Sequence, residues 1–357
     1  MIKNGKKVLL GMSGGVDSCV SAALLKKQGF DVRGIYLQMW KVDGEKSNAK
    51  AIKDAQKIAK ILDIPLEIMD VRKKFKKEVA GYFLKEYLAG RTPNPCIFCN
   101  ENLKFKTLFE MANKLKIDYI ATGHYARIMK HETCSMKQKK YKLLEAKDRN
   151  KDQSYFLYRL KQKQLARIIF PLGEIEKTET RKLAKKFGLP VFDKAESQDI
   201  CFLANMSVEE FLTKNMKLKK GKIIDTSRQV IGEHLGLPLY TLGQRKGINI
   251  GGTGPYYVTK KDVKKNCIIV TNKKEDLSLF SKFVNLEELN WILAVPKFPA
   301  KVLARIRYRS SLIPAVIKKQ KNGCRVVFDE IQRAVTPGQS IVFYNKKSEI
   351  LGGGIIK

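Results

Sequence analysis

Short apolar runs and amphipathic stretches alternate through the first two hundred residues of the chain. Lys7-Val8-Leu9-Leu10-Gly11-Met12 reads as a buried strand, and from Asp17 to Gln28 apolar residues recur at helical spacing, with Gly29 as the stop. Val32 to Met39 predicts a second strand, residues 48–62 a helix, Leu66–Val71 a third strand and 74–89 another helix. After the turn Thr92-Pro93-Asn94-Pro95 come a helix over 103–115 and a strand over Tyr119–Gly123. Strands separated by helices of this length predict an α/β fold with a doubly wound parallel sheet, whose ligands bind at the carboxyl ends of the strands.

Beyond residue 205 the pattern changes. A helix over 208–216 leads into Gly-rich sequence with short strands, and from about 280 period-2 patterns recur at Val302–Tyr308, Ala315–Lys319, Cys324–Phe328, Ser340–Tyr344 and Ile350–Ile355. Turns such as Lys321-Asn322-Gly323 and Thr336-Pro337-Gly338 separate them, which predicts a small antiparallel barrel or sandwich. The expected division is a catalytic α/β domain at 1–205, a small central domain at 206–279 and a C-terminal antiparallel β-barrel at 280–357. Residues 130–142, Lys-rich and poor in apolar side chains, read as an exposed loop or hairpin.

Composition adds a partner to this picture. Against 35 Asp and Glu stand 70 Lys and Arg, a formal net charge of +35. The excess is spread evenly, +19 over 1–205 and +16 over 206–357, so it either serves a polyanion such as nucleic acid or reflects a Lys-rich composition. No apolar run approaches the ~20 residues that span a bilayer, and the opening Met-Ile-Lys-Asn-Gly-Lys-Lys enters a strand without a signal-peptide core. The seven Cys, odd in number and scattered, do not form a secreted disulfide framework; a reducing cytoplasm is the expected compartment.

Between the first strand and helix lies Gly11-Met12-Ser13-Gly14-Gly15-Val16-Asp17-Ser18. The two Gly let backbone approach a ligand closely, and the free N–H groups of the following helix face a phosphate. Ser13 and Ser18 can add donors, and Asp17 can hold Mg²⁺ against phosphates or cap the helix. No Gly-Lys-Ser/Thr follows, so this is not a Walker loop. The string resembles the pyrophosphate loop of ATP pyrophosphatases, which implies ATP cleaved to AMP and pyrophosphate, with Leu37 and Gly123 at strand ends beside the adenosine.

Cys96-Ile97-Phe98-Cys99 follows the Pro-rich turn, and Cys201 stands in Glu196-Ser197-Gln198-Asp199-Ile200-Cys201-Phe202. A CxxC on a loop before a helix is expected to have a thiol pKa lowered by the helix N-terminus. Three thiolates can also hold an iron–sulfur cluster, or zinc with a fourth ligand. Cys19, Cys134, Cys267 and Cys324 read as small buried hydrophobes, and His131 and His234 carry no signal. His124 reads as a satisfied structural His at a strand end.

The strings Arg91-Thr92-Pro93-Asn94-Pro95, Cys99-Asn100, Ala121-Thr122-Gly123-His124-Tyr125, Lys151-Asp152-Gln153-Ser154-Tyr155-Phe156-Leu157, Ile200-Cys201-Phe202, Thr241-Leu242-Gly243-Gln244-Arg245-Lys246-Gly247 and Thr336-Pro337-Gly338-Gln339 together resemble the tRNA-specific 2-thiouridylases of the MnmA type, over essentially the whole chain. The resemblance implies that ATP adenylates the C2 oxygen of the wobble uridine in tRNAs for Lys, Glu and Gln. Cys201 then carries a persulfide received from a cysteine desulfurase or relay protein, and Cys99 resolves it, leaving a Cys99–Cys201 disulfide. It further implies that Asn94, Pro95 and the following residue contact the target base, and that Lys151, Asp152, Gln153, Arg307 and Tyr308 contact the anticodon arm of the tRNA. The target base is flipped from its stack, as base-modifying enzymes require. Many members have Asp after Asn-Pro where this chain has Cys96. Cys96 either takes over the base-side contact or joins Cys99 and Cys201 in a [4Fe–4S] site that delivers sulfide. The chain is expected to act as a monomer. Two other readings compete: an adenylating ATP pyrophosphatase acting on a small molecule, and a non-catalytic tRNA-binding protein.

Overall fold

The computed structural model of the chain describes residues 5–40, 46–131, 140–194, 200–203, 206–248, 250–251 and 254–357. Cys134 and the Glu196–Asp199 part of the Cys201 string lie outside the described residues. The chain begins with β1 (Lys7–Gly11), α1 (Val16–Lys27), β2 (Asp31–Gln38), α2 (Lys46–Ile61) and β3 (Leu66–Asp70). A helical run follows, composed of α3 (Arg72–Phe75), a π-turn at Lys76–Ala80 and α4 (Gly81–Leu88). A second run comprises α5 (Pro95–Cys99), a π-turn at Asn100–Lys104 and α6 (Phe105–Lys114), and leads to β4 (Tyr119–Thr122). Next come β5 (Arg127–His131), β6 (Lys140–Leu144), α7 (Gln162–Leu165), β7 (Ile168–Ile169) and α8 (Lys177–Lys186).

The first sheet is parallel throughout, in the order β3-β2-β1-β4-β7. Its strand order reverses direction at β1, between β2 and β4, and at such a switch point the loops on the two sides diverge and leave a crevice outside the strand ends. β1 is almost fully buried because Val8, Leu9 and Leu10 face helices on both sides of the sheet. α1 packs against α8. Its Cys19, Ser21, Ala22 and Ala23 are small enough to let backbones approach, and it is buried along most of its length.

α9 (Val208–Asn215) precedes a four-stranded sheet of β8 (Gly221–Asp225), β9 (Val230–His234), β10 (Tyr257–Asp262) and β11 (Cys267–Thr271), ordered β10-β11-β8-β9. The C-terminal strands are β12 (Phe280–Trp291), β13 (Ala300–Arg305), β14 (Ile313–Gln320), β15 (Gly323–Arg333), β16 (Ser340–Tyr344) and β17 (Glu349–Ile356). They run β12-β15-β14-β13-β16-β17 and close through β12–β17 pairing, a six-stranded antiparallel barrel rather than a sandwich. Closure removes the free edges that a short open sheet would expose.

The described parts of 130–142 belong to a hairpin, β5–β6, as the sequence pattern allows, and it joins the barrel sheet through Leu144 and Glu349. Its inward side chain Leu143 is fully buried in a core shared by the α/β sheet and the barrel, alongside Phe105, Tyr155, Tyr158, Val342 and Ile350. The second helical run begins at Pro95 rather than near 103: Asn94 caps it with its side-chain oxygen and Pro95 occupies the first turn, where its missing N–H costs nothing.

Candidate functional site

The loop after β1 meets the crevice at the switch point. Ser18 Oγ accepts from Ser13 N at 3.1 Å and donates to the Gly15 carbonyl at 3.1 Å, which folds the loop back on the start of α1. Gly15 caps the helix with extended backbone and no side-chain cap, leaving the first-turn N–H groups without a side-chain acceptor. Gly123, just past β4, lies against this turn so closely that a Cβ there would be 2.9 Å from both Asp17 C and Ser18 N. Leu37 lies at the end of β2 on the other flank of β1. The sequence-predicted residues Gly11 to Ser18, Leu37 and Gly123 thus stand around one strand end.

Two lysines that the sequence pattern does not single out converge on the same loop. Lys177, almost buried, donates to Asp17 Oδ1 at 2.6 Å, and Tyr125 Oη donates to the same oxygen at 2.9 Å. Lys194 donates to the Gly14 carbonyl at 2.9 Å and pairs with Asp54 at 2.6 Å. Each lies far from the loop in sequence, and neither stands in a motif that would distinguish it from the many other lysines of the chain. With an ammonium group on Asp17, the donor set suits phosphates that bring their own magnesium better than a resident metal ion.

The thiols form a second centre. Cys96 and Cys99 lie within α5 itself, not on a loop before it. The expected lowering of their pKa is overturned: burial pushes Cys96 up to about 11 and Cys99 up to about 12. Desolvation of a thiolate here outweighs the short helix's N-terminal field. Cys201 is open to solvent, yet the protein around it still raises its thiol. Despite the separation in sequence, a charge on Cys201 raises both Cys96 and Cys99, so the three share one neighbourhood. Lys104, at the end of the π-turn after Cys99, is the cation that opposes the rise at all three. Its position in a π-turn, a feature common at functional sites, is invisible in the sequence. Phe202 anchors the Cys201 segment by packing against Phe75, Phe83 and Phe211 at centroid distances of 5.6, 5.3 and 5.1 Å. Among the described residues, no group of three or more His, Cys, Asp or Glu is arranged to hold a metal ion, and the described cysteines are free thiols. The three-thiolate cluster therefore finds no matching ligand group among the described residues.

His124 Nδ1 lies 2.7 Å from Thr122 Oγ1 and its ring stacks near Phe105; burial holds its pKa well below the ordinary range, so it is neutral. Asn94 spends its side-chain oxygen on the α5 cap, accepting from Cys96 N and Ile97 N at 3.2 and 3.4 Å. An open cavity of about 450 Å³ joins the loop after β6 to the barrel and is lined by Arg149, Asn150, Lys151, Asp152, Arg305, Tyr308 and Arg309. Lys151 and Tyr308, far apart in sequence, both line it. Asp152 is nearly buried, accepting from Ala146 N, Ser154 N and Ser154 Oγ, and burial raises its pKa to about 6. Gln153 turns inward to accept from Tyr125 N at 3.0 Å. Arg307 also turns inward, donating to the Ala334 carbonyl and to Thr336 Oγ1.

Three family models match the chain in succession: the tRNA methyl transferase HUP domain over residues 6–205, the tRNA methyl transferase PRC-barrel domain over 209–272 and the aminomethyltransferase beta-barrel domain over 281–356. Proteins named tRNA-specific 2-thiouridylase MnmA match almost end to end. The one from Nitrosomonas europaea is 43% identical over 99% of this chain and 98% of its own. The one from Carboxydothermus hydrogenoformans is 43% identical over 99% and 98%, and the one from Buchnera aphidicola is 44% identical over 100% and 98%. No helix among the described residues is long and apolar enough to cross a membrane.

Proposed function

The chain belongs to the tRNA-specific 2-thiouridylase family, and on that premise we propose that it replaces the C2 oxygen of the wobble uridine in tRNAs for Lys, Glu and Gln with sulfur, consuming ATP. ATP lies in the crevice with its phosphates on Gly11 to Ser18 and its adenosine between Leu37 and Gly123. The first-turn N–H groups of α1, with Lys177 and Lys194, face the charge that develops on departing pyrophosphate. The C2 oxygen attacks the α-phosphorus, the bond to the β-phosphate oxygen breaks, and uridine acquires AMP as a leaving group.

Sulfur follows in two displacements. The terminal sulfur of a Cys201 persulfide attacks C2, and AMP departs with the electron pair of the C–O bond. The Cys99 thiolate attacks the Cys201 sulfur, and the electron pair of the S–S bond passes to the sulfur on C2, which becomes the thiocarbonyl. A Cys99–Cys201 disulfide remains, and an external dithiol reduces it. Sulfur reaches Cys201 from a cysteine desulfurase or relay protein in the cytoplasm, and the chain acts as a monomer. Asn94, Pro95 and Cys96 border the flipped base. Lys151 and Tyr308 meet the anticodon arm, while Asp152, Gln153 and Arg307 hold the walls of that surface.

The observation that carries this reading is the shared neighbourhood of Cys201, Cys96 and Cys99 beside Lys104, in a chain that also has a nucleotide loop at its switch point. A methyl transfer, which the wording of two family models suggests, needs neither paired thiols nor pyrophosphate release. Incubation with unmodified tRNA, MgATP and a persulfide donor, followed by nucleoside mass spectrometry, is expected to yield 2-thiouridine with one pyrophosphate each, and Cys99→Ser or Cys201→Ser to abolish the thiolation. Absence of 2-thiouridine with a competent donor sinks the proposal; pyrophosphate release without tRNA points to a small-molecule substrate instead.

A further inference from the structure

Two sequence strings, Thr241 to Gly247 and Thr336 to Gln339, take no part in the chemistry above, yet both reach Thr92, two residues before the α5 cap. Each polar group of Thr92 has a different partner. Its N–H donates to the Pro337 carbonyl at 2.8 Å, its carbonyl accepts from Gln339 Nε2 at 2.7 Å, and its hydroxyl lies 3.2 Å from Thr241 Oγ1 in the central region. Gly338 allows this approach, since a Cβ there would come within 3.0 Å of Arg91 Cβ and Thr92 N. Arg91 adds an ion pair with Glu287 of β12 at 3.6 Å. The segment that starts the thiol-bearing helix is therefore held by the barrel and by the loop between β9 and β10 together.

The same barrel loop is held in turn by Arg307, through Ala334 and Thr336 Oγ1. A second path reaches the other end of α5. The Tyr308 ring lies 4.4 Å from the Phe156 ring, and the Phe156 carbonyl accepts from Asn100 Nδ2, next to Cys99, at 3.1 Å. Arg307 and Tyr308, neighbours on one turn of the barrel, are thus joined by contiguous contacts to the beginning and the end of α5. α5 opens a helical run that continues through the π-turn to Lys114, and its first turn carries N–H groups without intrahelical partners, so the anchors before Asn94 set where that turn and its side chains point.

We propose that Thr92, Gln339 and Thr241 are positioning residues that hold α5, and with it Cys99, in register with a tRNA seated on the barrel. This rests on the thiouridylase reading. The nucleotide loop is held separately, by Ser18, Lys177 and Lys194; adenylation needs the base bordered by Asn94, Pro95 and Cys96, whereas thiolation needs that base and Cys99 together, so loss of the Thr92 junction slows thiolation more than adenylation. Misplacement of a reacting group by about 1 Å lowers rate by up to roughly a hundredfold.

The test separates two products in one reaction. In a single turnover with tRNA, MgATP and a persulfide donor, Gln339→Ala and Thr241→Val are expected to lower the rate of 2-thiouridine formation at least about tenfold more than the rate of pyrophosphate release. Tight tRNA binding is retained, so kcat for thiolation falls with little change in KM. Thr241→Ser, which keeps the hydroxyl, restores the parent ratio, and because Thr241→Val is nearly isosteric it keeps the fold if Gln339→Ala does not. Equal loss of both products, an unchanged ratio of the two, or failure of Thr241→Ser to restore it overturns the proposal. A parent chain that makes no 2-thiouridine overturns the functional reading first, and the two failures are thereby distinct.

Discussion

Replacing Gly14 by Ala should break the nucleotide loop for two independent reasons. Gly14 has φ +71°, a left-handed conformation that costs an L-residue about 1–2 kcal/mol. A Cβ at this position would also lie 2.4 Å from the Ala51 carbonyl oxygen of α2, and contacts below 3.0 Å are essentially never found. The obstacle is backbone, so no rotamer change relieves it; α2 or the loop must give by about 0.6 Å. Overpacking of this kind costs about 1–3 kcal/mol, which brings the whole to roughly 2–5 kcal/mol. For a domain of this size a kcal/mol corresponds to about 2–4 °C in Tm, so the variant should melt on the order of 4–20 °C below the parent. Gly15→Ala is the matched control, because Gly15 has φ −94° and the nearest atom to an added Cβ is Ser13 Oγ at 3.5 Å, an ordinary contact. Its Tm should fall by no more than about 4 °C, since Ala in place of Gly at the helix cap costs on the order of 1 kcal/mol. Differential scanning calorimetry of the three proteins, with tRNA-dependent pyrophosphate release measured alongside, checks the argument. A Gly14→Ala protein as stable as the parent, or a Gly15→Ala protein that melts as early as Gly14→Ala, would refute it.

Two further outcomes follow from the buried titratable groups. In alkylation by iodoacetamide at pH 7.5, read by peptide mass spectrometry, exposed Cys201 should react before Cys96 and Cys99, whose thiols stand near 11 and 12; the Cys99 rate should rise about tenfold per pH unit, and Lys104→Met should slow all three. A faster Cys99 in Lys104→Met would contradict the role given to that ammonium. Asp152, raised by burial to about 6, binds its proton more tightly folded than unfolded, so its contribution to stability is complete below about pH 4 and is lost as pH rises through 6. The Tm difference between the parent and Asp152→Asn should therefore shift in the parent's favour as pH falls from 7 to about 4.5, and a difference constant over that range would exclude this linkage.

The parallel sheet was legible because its strands and helices obey their own periods, and a Gly-rich string at the first strand end has few uses besides a ligand loop. The barrel was legible from its regular short strands, although which strands close it was not: β12–β17 pairing joins segments far apart in sequence, and period-2 patterning says which face is buried, never which strand is the neighbour. The thiols were legible as a CxxC pair and misread as electrostatics. A Cys before apolar residues at a helix start suggests a lowered pKa, whereas the packing of α5 among Leu103, Phe202 and Phe211 reverses the direction. Lys177, Lys194 and Lys104 carry no local signal in a chain with so many basic residues; only folding distinguishes them, by bringing an ammonium group within reach of Asp17, Gly14 or the thiols. Residue type and spacing by themselves determined the fold class and the kinds of chemistry this chain can perform. Which charges meet, how strongly burial shifts them, and how Thr92 ties three parts of the chain to one short helix depend on distances between residues remote in sequence, and those were decided by the tertiary structure alone.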